Sequence, residues 1–142
     1  MTKVMPVAAA ALVDREGRVL LQRRPAGKQH GGLWELPGGK VEPGEGVEAA
    51  LAREIAEELA ITIAPADMRP LAFQTAAAGE RQLLLLCFLV RRWEGEPRAL
   101  AADALCWASP ADAAALPMPP ADRPLLETLW RAVGAAEAGL RG

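Results

Sequence analysis

Between Val47 and Leu59 the chain changes its period. Val47, Leu51, Ile55 and Leu59 recur every four residues, whereas the surrounding apolar runs, such as "VAAAALV" and "LLLLCFLV", are short and nearly continuous. Residues four apart stack on one side of an α-helix, so this stretch is an amphipathic helix with one apolar stripe. A helix of this kind needs an apolar surface to lie on, and the flanking strand-like runs provide a sheet.

The rest of the chain reads in order around that helix. "VAAAALV" and "RVLLQRR" flank the turn signal "DREG" and predict a hairpin from about Val4 to Arg24. "PAGKQHGG" is a glycine-bearing loop, "LWELPGG" a short strand. After the helix, "MRPLAFQT" and "RQLLLLCFLVRRW" predict two strands joined by "AAAGE", and "LCWAS" a last short one. Ser109 or Asp112 can start a short helix, and "PMPPAD" leads into a final helix striped by Leu126, Leu129, Trp130 and Val133. Strands interspersed with three helices and a single long crossover predict an α/β fold, a mixed sheet packed between helices. At 142 residues without an internal repeat or linker, residues 1–142 form one domain.

Composition excludes several function classes. With 16 Lys and Arg against 18 Asp and Glu, the net charge of -2 carries no basic excess for gripping nucleic acid. "LLLLCFLV" is too short to span a bilayer, so no membrane partner is expected. "MTKVMPVAAAALVD" places Lys3 before an apolar run, but Pro6 interrupts it and Asp14 ends it early, which favours a first strand over a signal peptide. Cys87 and Cys106 form no CxxC pair and sit in apolar runs, as buried reduced thiols do. A cytoplasmic protein, monomer or homodimer, is expected.

The chemistry is concentrated at the end of the amphipathic helix. Glu54, Glu57 and Glu58 share its polar side, where like charges three and four apart repel and the helix dipole also disfavours anions. A divalent cation removes both penalties, and hard carboxylate oxygens suit Mg²⁺, with Mn²⁺ an alternative. The preceding "PGGKVEPGEG" contains Gly38, Gly39 and Gly44, which let backbone approach a metal or phosphates closely. Lys40 is either an anion contact or a solvated surface charge.

These residues resemble the Nudix hydrolase signature, G-x5-E-x7-R-E-U-x-E-E-x-G-U, with U a bulky aliphatic. Gly39, Glu45, Arg53, Glu54, Ile55, Glu57, Glu58 and Ile61 fall in register over residues 39–61, and Ala60 replaces the last glycine. "LLQRRP", "LWELPGGK", "RRWEGEP" and "PPADRPLL" extend the resemblance along nearly the whole chain, toward the MutT-like branch. The resemblance implies an α/β/α sandwich around a central mixed sheet and hydrolysis of nucleoside triphosphates to monophosphate and pyrophosphate. It further implies Mg²⁺ ligation by Gly39, Glu57 and Glu58, Glu54 as general base or further ligand, and Arg53 as an orienting group among the catalytic residues.

The same resemblance assigns substrate contacts to Arg24, Glu35, Leu36, Pro37, Gly38, Arg81 and Asp122. His30 is expected to be a loop residue. Asp122 falls where the oxidised-guanine enzyme of this family carries an asparagine that reads the base edge. As an acceptor, an aspartate suits the N7-H of 8-oxoguanine or the cytosine amino group. Ahead of Pro124 it is also a good helix N-cap. A loop glutamate common in MutT-like enzymes corresponds to Ala101 here, with Asp103 the nearest acid. The implied function is 8-oxo-dGTP hydrolysis in cleansing the nucleotide pool. CTP or 5-methyl-dCTP hydrolysis is the alternative, and a non-catalytic nucleotide-binding module the alternative from another class.

Overall fold

The computed structural model describes residues 3–141, with side-chain surroundings described through residue 134. Met1, Thr2 and Gly142 of the expected domain lie outside the described residues. The elements are β1 (Lys3–Leu12), β2 (Val19–Arg23), β3 (Trp34–Glu35), β4 (Gly38–Lys40), α1 (Val47–Leu59), β5 (Met68–Ala78), β6 (Arg81–Val90), β7 (Ala104–Ala108), α2 (Pro110–Ala115) and α3 (Asp122–Arg141). A single 3-10 turn, Pro65–Asp67, precedes β5.

The expected mixed sheet runs in the order β4-β1-β6-β5. β1 and β6 are parallel over their full lengths, while β4 and β5 close the two sides antiparallel. A second, antiparallel sheet runs β3-β2-β7. Side chains alternate across β1, so Ala8, Ala10 and Leu12 enter one core with Leu51, Ile55 and Leu59 of α1. Ala9 and Ala11 enter the other, with Leu125, Leu126, Leu129 and Val133 of α3. Small alanines on the central strand leave room for the large helix side chains, each worth about 1.5–3 kcal/mol when fully buried. The result is an α/β/α sandwich.

The expected first hairpin is not one. β1 and β2 form no ladder with each other and belong to different sheets; an isolated bridge from Val13, just past β1, to Val19 is the pairing at this turn. A strand has two edges, and both of β1's are occupied, by β4 and β6. The "DREG" turn itself forms as read: Asp14 Oδ1 accepts from the amides of Glu16 and Arg18.

Two further features place the site. α1 ends at Ala60 in the left-handed conformation, φ 60° and ψ 29°, so alanine stands in a position that favours glycine. The connection from β6 to β7 is fastened to that helix end. Glu94 exchanges backbone hydrogen bonds with Thr62, the amides of Arg98 and Leu100 donate to the carbonyls of Leu59 and Glu58, and the Asp103 amide donates to the Arg23 carbonyl. None of the helices of the described residues is long and apolar enough to cross a membrane.

Candidate active site

Five consecutive residues, Glu35 to Gly39, organise the site, and each contacts a different group. Glu35 Oε2 accepts from Arg24 Nε at 2.8 Å. The Leu36 amide donates to Asp122 Oδ2 at 3.0 Å, joining positions 86 residues apart. The Pro37 carbonyl accepts from the Ala10 amide, pinning the segment to β1. The Gly38 amide donates to Glu58 Oε2 at 3.1 Å. Gly39 lies against the carboxylate of Glu54, so close that a β-carbon there would stand 2.7 Å from Oε1 and nearer still to Cδ.

Sequence dictates this arrangement through two glycines. Gly38 has φ 152°, and a β-carbon there would run into the Ala8 carbonyl on β1, with Ala9 Cα at 2.8 Å. At Gly39 the close neighbour is the Glu54 side chain rather than backbone, so Gly38 lets β4 lie against β1, and Gly39 lets the Glu54 carboxylate lie against β4.

Arg53 gathers the acids of α1 and its preceding loop. Its Nε and Nη2 grip the two oxygens of Glu45 at 2.7 and 2.9 Å, its Nη1 reaches Glu54 at 3.0 Å and Glu57 at 3.4 Å, and Nη2 also donates to the Lys40 carbonyl. The Arg53 hydrogen bonds, reinforced by the Glu42 amide, pull the Glu45 carboxyl down to about 2, and the same contacts raise Arg53. Arg53 is thus placed to orient carboxylates.

Glu58 turns the other way, into the fold. Burial raises its carboxyl to about 7, against the opposing hydrogen bonds from Gly38 and Gln22, and the charges of Glu54 and Glu35 add to the rise. The Glu35 charge also raises Asp122. Asp122 is only 7% exposed, and burial takes its carboxyl up to about 6. Its charge in turn adds to the burial that lifts the Cys87 thiol to about 12. Both cysteines are free thiols, Cys87 buried and Cys106 partly so.

The sequence-derived residues are brought together unequally. Arg24, Glu35, Leu36, Pro37, Gly38 and Asp122 form one connected wall, and Gly39, Glu54 and Glu58 adjoin it. Glu57 is 60% exposed and tied only by its long contact to Arg53. Arg81 opens β6 on the side shared by Leu83, Leu85 and Cys87, and makes no hydrogen bond with the other site residues among the described residues. Asp122 is not the N-cap of α3: it lies inside the first turn, and its carboxylate is turned to Leu36 instead. Asp103 is exposed, with its amide, not its carboxylate, engaged. His30 is an exposed loop residue with φ 59°. Gln22, on Glu58, was not among the candidate residues; a polar residue inside the buried run "VLLQR" was its one signal. A cavity of about 670 Å³ at the ends of β1 and β6, lined by Arg15, Arg91, Arg92 and Trp93, contains none of these groups.

Among the described residues, no three acidic, histidine or cysteine side chains converge tightly enough to hold a metal. The donor set nevertheless suits a hard divalent cation. Glu54 and Glu58 adjoin the same two-residue backbone segment, Glu57 is exposed beside them, and a buried acceptor, Gln22 Oε1, is left without a partner among the described residues.

Residues 3–129 match the NUDIX domain family. The chain belongs to it. The segment from Gly39 to Ile61, which resembles the family signature, lies within the matched residues. Among similar proteins is the CTP pyrophosphohydrolase of Escherichia coli (strain K12), 41% identical over 118 residues, covering 83% of this chain and 86% of the relative. The 8-oxo-dGTP diphosphatase of Escherichia coli (strain K12) is 32% identical over 129 residues, 91% of this chain and 98% of that one. The crystal structure of the MutT NUDIX hydrolase from Burkholderia pseudomallei superposes with a TM-score of 0.79 at 34% identity, covering 89% of this chain and 98% of the other.

Proposed function

We propose that this NUDIX protein is a Mg²⁺-dependent nucleoside triphosphate pyrophosphohydrolase with 8-oxo-dGTP as its favoured substrate, yielding 8-oxo-dGMP and pyrophosphate. The observation that carries the reading is the Glu35–Gly39 segment, which joins a buried acceptor, Asp122, to the carboxylates of α1 through consecutive residues. Base recognition and phosphate chemistry are thereby held at a fixed separation. Such pre-positioning is the main resource an enzyme has for phosphoryl transfer.

The cation, when bound, neutralises phosphate charge and acidifies water. Glu58, fixed at Oε2 by Gly38 and Gln22, presents its other oxygen as a ligand, and Glu57 and the Gly39 carbonyl complete the proposed protein donors. Glu54, resting on Gly39 and held by Arg53, accepts the proton of the attacking water. Water adds to phosphorus, the bond to the pyrophosphate oxygen breaks, and monophosphate and pyrophosphate leave. Arg24, held at one nitrogen by Glu35, and Arg81 at the mouth of β6 supply positive charge toward the nucleotide.

At Asp122 the Leu36 amide occupies one carboxylate oxygen and leaves the other to accept from a base. That acceptor suits the N7-H of 8-oxoguanine, and equally the cytosine amino group. The second reading, CTP or 5-methyl-dCTP hydrolysis, is favoured by the 41% identity to a CTP pyrophosphohydrolase. Glu54, Glu57 and Glu58 together argue against a module that only binds. A pyrophosphate-release panel of 8-oxo-dGTP, dGTP, CTP and 5-methyl-dCTP with Mg²⁺ tests the proposal: preference for a cytidine nucleotide installs the second reading, and release from none rejects both.

A further inference from the structure

Gln22 lies on β2 with only 5% of its surface exposed. A buried amide is costly unless both of its ends are satisfied. Its Nε2 donates to Glu58 Oε2 at 3.2 Å, while its Oε1 finds no donor among the described residues. The Gly38 amide converges on the same Glu58 Oε2. Glu58 is therefore held by one oxygen, Oε2, on which two donors converge.

We propose that Gln22 is a positioning residue of the cation site. Its amide N–H, together with that of Gly38, holds Glu58 Oε2 and leaves the other carboxylate oxygen to the cation. The inference rests on the metal-dependent reading above and deepens it. Mg²⁺ demands near-ideal octahedral geometry, so a carboxylate that ligates it gains from being held in one orientation by an outer-shell donor. A cationic side chain at position 22 would compete with the metal, and an apolar one would leave Glu58 with a single donor. A neutral amide gives the carboxylate a second donor and adds no charge.

The bland alternative is that Gln22 merely fills a strand position. Mn²⁺ titration of the substrate-free protein, followed by electron paramagnetic resonance, separates the two, with Gln22→Leu and Gln22→Met as variants. The expected result is Mn²⁺ binding weakened by about tenfold, the lower end of the effect of removing an outer-shell partner. The metal-free Tm should hold or rise, because an unsatisfied acceptor has been removed, while the Tm gain on adding Mn²⁺ shrinks. Wild-type Mn²⁺ affinity in both variants overturns the inference, as does failure of both to fold where the wild type is stable, since either assigns Gln22 to packing alone. Wild-type protein and Glu58→Gln in the same titration keep the two levels apart. No Mn²⁺ binding by the wild type rejects the metal-dependent reading itself, whereas normal wild-type binding with unaffected Gln22 variants rejects only the role of Gln22.

Discussion

Replacing Gly39 by alanine should damage chemistry and spare the fold. The backbone at Gly39 lies outside the left-handed region, so alanine meets no conformational penalty there. What its β-carbon meets is the end of one side chain, 2.7 Å from Glu54 Oε1 and closer to Cδ and Oε2, where ordinary contact begins at 3.4 Å. The Glu54 carboxylate must retreat by about 1 Å, a misplacement that can cost about 100-fold in rate. The same movement loosens its 3.0 Å bond to Arg53, a solvent-screened pair that contributes little to stability. Gly39→Ala should therefore lose about 100-fold in pyrophosphate release while its Tm falls by no more than about 3 °C. Gly38→Ala is the control, because its β-carbon would strike the Ala8 backbone and separate β4 from β1. That variant should be grossly destabilised by circular dichroism. Activity within about threefold of wild type in folded Gly39→Ala, a loss of less than 1 kcal/mol of barrier, would refute the steric argument.

Three other outcomes are expected. Ala60→Gly relieves a left-handed alanine, worth about 1 kcal/mol after the larger entropy of glycine in the unfolded chain is counted, and should raise Tm by about 3 °C in differential scanning calorimetry. Asp122 is raised from 3.8 to about 6, so its folded form binds the proton more tightly than the unfolded chain; its contribution to stability is full below pH about 4, is lost as pH rises toward 6, and is level above. Urea midpoints of wild type minus Asp122→Asn across that window should show the slope, and a flat difference would remove the burial argument. Glu54→Gln and Glu58→Gln should each abolish most Mg²⁺-dependent pyrophosphate release with native circular dichroism, and near-normal turnover in both would reject the assigned roles.

The signature was legible because its information is local. Periodic Leu51, Ile55 and Leu59 fix which side of α1 is buried, and that leaves Glu54, Glu57 and Glu58 outside the core. The first hairpin misled for the opposite reason: a turn and two apolar runs say that strands exist, not which edges are already taken. Gln22 and Glu58 are 36 residues apart and Leu36 and Asp122 86 apart, distances at which only the folded sheet brings partners together. For Asp122 the cap reading failed because a buried amide on a neighbouring segment competes successfully with the helix's own N–H groups. Ala60 was visible as a departure, and the structure shows the helix keeping its usual ending with the less suitable residue in place.

The fastening of the β6–β7 connection also says where this scaffold can be lengthened. Backbone bonds at Glu94, Arg98, Leu100 and Asp103 leave Gly95–Pro97 as the stretch between the first two anchors. An added residue after Leu100 would feed its slack into the span that brackets the Glu58 and Arg23 carbonyls, beside Gln22. One added among Gly95–Pro97 could instead bulge into solvent, since these residues are exposed or only partly covered. A recognition loop grafted to retarget the enzyme belongs there, three residues wide and outside the tethers that hold the chemistry in place.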